Sequence, residues 1–164
     1  MSTQAGEPPD LGTLRRHLRR FRGGAAGFRW DDVPLKHYKH EGTHFKDITR
    51  QTLFGEEDGP PCELRYFEIA PGGHSTFERH DHTHAVVILR GEGRVIVGEE
   101  IADVEALDLV HVPPQTWHQL QADDDVPLGF LCLVPCERDR PSRPTDEERA
   151  ALRADPFFGA LARL

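Results

Sequence analysis

The stretch Pro71–Gly93, PGGHSTFERHDHTHAVVILRGEG, decides how this chain is read. It sets His74, His80, His82 and His84, four of the ten histidines, within eleven residues, interleaves Glu78, and closes on a Gly-Glu-Gly turn. Strand side chains alternate between faces, so Glu78 and His80 point the same way. Imidazole and carboxylate heads converging on one face can hold a divalent metal.

Outward from this stretch the pattern is one of short β-type runs separated by turn residues. Expected strands are Ile48–Phe54, Glu63–Ala70, Ser75–His80, Ala85–Arg90, Arg94–Val97, Asp108–Val112, Trp117–Gln121 and Leu128–Val134. Acidic and Gly/Pro-rich loops such as Gly55–Pro61 divide them, which predicts an all-β double-sheet jelly roll over residues 47–135. Upstream, residues 1–10 have nothing to bury and predict a disordered start. Leu11, Leu14, Leu18 and Phe21 follow at helical spacing, with Gly23-Gly24 as the stop, and residues 28–46 read as an arm lying across the domain. Downstream, residues 136–164 form a charged tail. There Thr145 and Glu148 make a capping box for a helix through Ala154, and Phe157, Phe158, Leu161 and Leu164 are apolar enough to dock the end.

A chain of 164 residues builds one core of this kind. Its net charge of −8 argues against nucleic acid or an anionic membrane as partner, since both need a basic patch. The basic run Arg15, Arg16, Arg19, Arg20 and Arg22 reads as a solvated helix face. No apolar run approaches a membrane span and no signal-peptide core is present, so the expected location is cytoplasmic. Cys62, Cys132 and Cys136 are odd in number and lack metal-site spacing, so no disulfide framework is expected. Cys132 and Cys136 read as small buried residues near a strand end, and His37, His40 and His44 as surface residues.

The central stretch resembles the cupins, small metal-binding β-barrels. Their first motif runs Gly, five residues, His-x-His, three or four residues, Glu, six residues, Gly. Counted from Gly72 without a gap, it lands the first histidine on Glu78, the second on His80, the glutamate on His84 and the closing glycine on Gly91. The second motif puts Pro113, Gln115 and His118 on its Pro, Gly and His, with Leu107 and Ala122 where Gly and Asn are usual. Taking His80-Asp81-His82 as the His-x-His pair would require a two-residue insertion before it, so the gapless register is kept. The resemblance then implies a metal held by Glu78, His80, His84 and His118. Glu and His have exchanged positions, yet three imidazoles and one carboxylate remain. His82, or Asp81 beside it, is either a partner orienting an imidazole or a solvated turn residue.

With each strand's parity anchored to its ligand, Thr76, Val86, Ile88 and Leu120 should line the pocket. Val87 and Leu89 should face outward, where something must cover them, and the expectation is a homodimer. Either Arg65 and Phe67, or Leu64, Tyr66 and Glu68, enter the pocket, and an inward Arg65 would imply an acidic substrate. Arg50, His111 and Trp117 read as structural. The implied cofactor is one divalent Fe, Mn, Ni, Cu or Zn ion per chain, acting on a small molecule. The first functional expectation is a dioxygenase-type oxidoreductase. The alternatives are a metal-dependent isomerase, lyase or decarboxylase, and a non-catalytic ligand-binding module. Beyond the ligands no acid or base is identifiable, which leaves Glu78 as the candidate base.

Overall fold

In the computed structural model, which describes residues 19–24, 27–37 and 44–164, the chain divides into two units between Val33 and Pro34. In the first, strands β1 (Phe21–Arg22) and β2 (Arg29–Trp30) pair antiparallel with Phe21 opposite Trp30. The Phe21 ring meets Phe28 edge-on at 4.7 Å and Trp30 at 5.3 Å, and Arg22 forks onto Asp31 at 2.9 and 2.8 Å. The helix expected over Leu11–Phe21 is therefore corrected at its described end. Cross-strand aromatic packing holds Phe21 extended, and helical spacing is blind to such partners. Gly23-Gly24 open the hairpin connection instead of ending a helix. Leu11, Leu14, Leu18, Arg15, Arg16, His40 and the expected disordered start lie outside the described residues.

The second unit is built from strands β3 (Lys36–His37), β4 (Lys46–Phe54), β5 (Cys62–His74), β6 (His84–Gly91), β7 (Gly93–Val97), β8 (Glu100–Val104), β9 (Leu109–Val112), β10 (His118–Ala122) and β11 (Leu128–Pro135). Helices α1 (Asp146–Ala154) and α2 (Phe158–Leu161) follow. The strands form one antiparallel sheet in the order β8-β7-β10-β5-β11-β6-β9, with β4 also on β5 and β3 on β4.

The long β5 is shared between neighbours. Residues 62–69 pair with β11, and beyond the bend at Pro71–Gly73 the strand meets β10 at His74. The bend is tight enough that a Cβ on Gly73 would lie 2.6 Å from the Lys46 carbonyl oxygen. At the other end of the central stretch, Gly91 has φ +74, and a Cβ there would sit 1.6 Å from the Pro127 carbonyl oxygen. The core lies inside the curl and contains Ile48, Ile69, Val86, Ile88, Val95 and Leu128.

Two expectations about strands are corrected. Residues 75–80 are not a strand. Ser75 N–H donates to the Leu120 carbonyl at 2.8 Å where the ladder of β5 ends, and beyond it the segment forms only the isolated bridges Glu78–His118, to β10, and Arg79–Ser142, to the tail. β8, EIADV, was not anticipated. It is an edge strand whose exposed Glu100 and Asp103 break the apolar pattern while keeping the edge from pairing further.

On the outer face, register places Leu131, Val87 and Leu109 in one row and Leu133, Ala85 and His111 in the next. The tail folds back onto β10. Gln119 bonds both ways with Arg163, its Nε2 donating to the carbonyl at 3.0 Å and its Oε1 accepting from N–H at 2.9 Å, and Gln121 donates to the Leu161 carbonyl at 2.7 Å. α1 begins at Thr145, whose Oγ1 accepts from Glu148 N–H at 3.2 Å while the Glu148 carboxylate accepts from Thr145 N–H at 2.9 Å. Among the described residues no helix is long and apolar enough to cross a membrane.

Candidate metal centre and its cavity

Three of the four expected ligands converge. His84 opens β6, His118 opens β10, and His80 lies in the turn before β6. One donor atom of each lies within 4.8 Å of the others. His80 Nδ1 donates to the His82 carbonyl at 2.7 Å, and His118 Nδ1 to the Thr116 carbonyl at 2.9 Å. With those protons placed, each ring carries its lone pair on Nε2. His80 Nε2 is buried and has no hydrogen-bond partner. Buried polar atoms are rarely left so, and a lone pair aimed among other imidazoles suits a divalent transition metal. Burial holds His84 far below the usual imidazole range, helped by neighbouring His80 and His118, and it pushes His118 down to about 4. His80 is lowered too, again mainly by burial. Neutral rings at physiological pH are what metal ligation requires.

Glu78 sits opposite His118 in the sheet and lines the same cavity, but its carboxylate is not among the groups within 4.8 Å. Burial raises its pKa to about 7, against the opposing pull of Arg65 and Arg143. His82 is no solvated turn residue. Its side chain is 7% exposed, its ring stacks on His80 at 3.7 Å, and its Nε2 lies 3.2 Å from His84 Nε2. Its Nδ1 donates to Asp139 Oδ1 at 2.7 Å. Asp139 also accepts from the backbone N–H of Asp81 at 2.9 Å and of His82 at 3.2 Å, and these bonds, that from the His82 ring foremost, hold its carboxyl well below the usual range. The carboxylate that orients an imidazole is thus Asp139. Asp81, the alternative from sequence, is exposed and accepts from Gln115 Nε2 instead.

The cavity measures about 390 Å³. Thr76, Val86 and Leu120 line it as expected, whereas Ile88 does not. Ile88 pairs across from Phe130, whose ring stacks on Phe67 at 5.3 Å. Both rings face the cavity, while Ile88 is completely buried in the core. The open question about β5 is resolved by register. Arg65 lies opposite Cys132 and Phe67 opposite Phe130, and all four line the cavity. Arg50 lines it as well. Trp117 instead supports Arg79, whose guanidinium lies 4.3 Å over its ring, and His111 is exposed beside Thr83.

A strap after β11, residues 136–141, completes the wall with Cys136, Arg138, Asp139, Arg140 and Pro141. Nothing in the spacing of the charged tail signalled these residues. All three cysteines are free thiols, and burial raises that of Cys132.

A curled antiparallel sheet holding three clustered imidazoles above an open cavity is the architecture of a small β-barrel. The family model described as cupin domain matches residues 65–134. A 1-methylthio-D-xylulose 5-phosphate methylsulfurylase from Rhodospirillum rubrum is 50% identical over 144 residues, 87% of this chain and 92% of the relative. The chain belongs to the cupin superfamily. Among solved structures, a cupin-2 domain from Rhodospirillum rubrum is 48% identical with a TM-score of 0.78, over 85% of this chain and 94% of that one. A cupin 2 conserved barrel domain protein from Rhodopseudomonas palustris is 45% identical, also at 0.78, over 88% and 97%. The backbone carries the family frame even where the letters do not. The four motif positions usually held by glycine all have positive φ: Gly72 at 66°, Gly91 at 74°, Leu107 at 80° and Gln115 at 55°.

Proposed function

We propose that this chain is a metal-dependent enzyme that removes the methylthio group from a small phosphorylated ketose, the chemistry in the name of its Rhodospirillum rubrum relative. The observation that carries this reading is the make-up of the cavity, with neutral imidazoles at one end and the buried, incompletely hydrogen-bonded Arg65 among its other lining residues. A carbonyl-polarising enzyme acting on an anionic sugar accounts for both. An oxygenase acting on a small acid would use the same groups, and the 50% identical relative, named for a phosphorylated sugar, favours the other reading.

In this reading Glu78, His80, His84 and His118 hold one divalent transition metal. When bound, the metal supplies a Lewis acid that draws electron density from the substrate oxygens beside the carbon–sulfur bond. The backbone carbonyls of His82 and Thr116 keep two of the rings aimed. Glu78, whose carboxylate lies outside the three-imidazole cluster and whose pKa burial raises to about 7 in the metal-free chain, is the candidate base when released from the metal. Ile48, Phe67, Val86, Leu120 and Phe130 exclude water around the reacting carbon. We further read the protein as cytoplasmic, and as a homodimer because Leu109 at 78% exposure, with Leu133 beside its row, leaves an apolar outer face that a second copy would cover.

The test is to incubate the metal-loaded protein with 1-methylthio-D-xylulose 5-phosphate and a small thiol as sulfur acceptor, following the methyl signal by NMR. Transfer of the CH3S group is expected, the acceptor sulfur forming a disulfide bond to it while the carbon–sulfur bond breaks and C1 takes up the thiol's proton. An unchanged signal, with oxygen uptake on small acids or phenols, would replace this reading with the oxygenase one.

A further inference from the structure

We propose that Arg65 is the anion anchor of the cavity, the side chain that takes the phosphate oxygens of the substrate; this rests on the reading of that substrate as phosphorylated. Arg65 is carried inward by β5, opposite Cys132 on β11 and Thr52 on β4, and is 7% exposed. Its Nε is buried without a hydrogen-bond partner. The one hydrogen bond of its guanidinium among the described residues runs from Nη2 to Cys132 Sγ at 3.7 Å, long and to a weak acceptor. Glu63 neutralises it only in part, in a long ion pair that it shares with Arg138. The Glu63 carboxylate oxygen stands 3.9 Å from Arg65 Nε while accepting from Arg138 Nη2 at 2.9 Å. Arg65 forms no ion pair with Glu78, the other carboxylate that faces it electrostatically.

Arg138 shows what a structural arginine looks like in the same wall. Besides Glu63, it donates to the carbonyls of Pro135 at 2.7 Å and Cys136 at 3.1 Å. A buried guanidinium left short of acceptors is costly unless something anionic completes it. Asp139 is already engaged by His82 and two backbone N–H groups, so the lining carboxylates offer no remedy. The Phe67 ring, 5.2 Å from the guanidinium carbon, helps hold the plane in place. A planar fork with donors to spare is the geometry that grips a phosphate through two oxygens.

The test uses metal-loaded protein and two probes, D-xylulose 5-phosphate and D-xylulose, titrated calorimetrically into wild type, Arg65→Met, Arg65→Lys and Arg140→Met. Removing charged hydrogen bonds of this kind should weaken the phosphorylated sugar about 10- to 100-fold in Arg65→Met and leave D-xylulose unchanged. Arg65→Lys should keep part of the difference and Arg140→Met nearly all of it. Equal weakening of both sugars, or a phosphate preference that survives in Arg65→Met, overturns the assignment. If Arg65→Met does not fold, loss of geometry-dependent affinity in Arg65→Lys decides, and an unchanged preference there rejects it. A wild type that prefers the phosphorylated sugar through Arg65 yet leaves the methylthio substrate intact would sink the functional reading and spare the anchor. Methylthio removal with unchanged KM in both Arg65 variants would do the reverse.

Discussion

At the imidazole end of the cavity, His80 and His118 each have Nδ1 tied to a backbone carbonyl, and His82 has Nδ1 tied to Asp139. Along the wall, Arg65 keeps an Nε with no hydrogen-bond partner and only a shared carboxylate, that of Glu63, at 3.9 Å. The first region is pre-organised, its rings aimed before anything binds. The second is left incomplete until a ligand arrives. That is the division expected of a resident ion, which stays, and a substrate group, which comes and goes.

The comparison is sharpened most by the double variant His80→Ala, His118→Ala. Elemental analysis should fall from about one transition-metal ion per chain to none, with the strand signal in circular dichroism retained. Metal kept in full would show that the pre-organised end is not the metal site. Next comes Asp139→Asn, which weakens the hold on His82. Metal affinity measured by chelator competition should drop about 10- to 100-fold, and an unchanged affinity would make Asp139 merely a clasp for the turn.

Glu78 gives a smaller effect with a definite sign. A proton on a carboxyl whose pKa is raised to about 7 competes with the metal, so apparent affinity should fall about tenfold per pH unit below that point. In Glu78→Gln that slope should flatten, and a wild-type slope in the variant would remove Glu78 from the ligand set. In metal-free protein the same raised pKa means that the group's contribution to stability is intact below about 4.5 and is lost as pH rises through about 7.

The smallest effect tests the register that placed the imidazoles. Leu107 stands at φ 80° with 77% of its surface in solvent, so Leu107→Gly should relieve about 1 kcal/mol of backbone strain and raise Tm by about 2–4 °C. A fall in Tm would mean that its side chain is covered in solution.

Sequence reading succeeded where the determinants are local. The spacing from Gly72 to Gly91 singled out His80 and His84, His118 followed from a second short motif, and the three imidazoles converge. It stopped where partners come from distant chain. Which way Arg65 points depends on its pairing with Cys132, 67 residues on, and Asp139 reaches His82 across 57 residues. Neither separation leaves a period in the letters. The Leu11–Phe21 pattern misled for a related reason, because an aromatic spaced for a helix serves equally well in a hairpin that gives it Phe28 and Trp30 as neighbours. β8 was missed because an edge strand carries its charges where a central strand would carry valine.

The strap that supplies Asp139 follows the last strand of the sheet. A nascent chain that has just released Pro135 already owns every strand among the described residues and all three clustered imidazoles, yet lacks the carboxylate behind His82 and one side of the cavity. Completion of the site is therefore scheduled after completion of the barrel. A truncation at that point would leave a sheet with its full complement of pairings and a workplace still missing a wall.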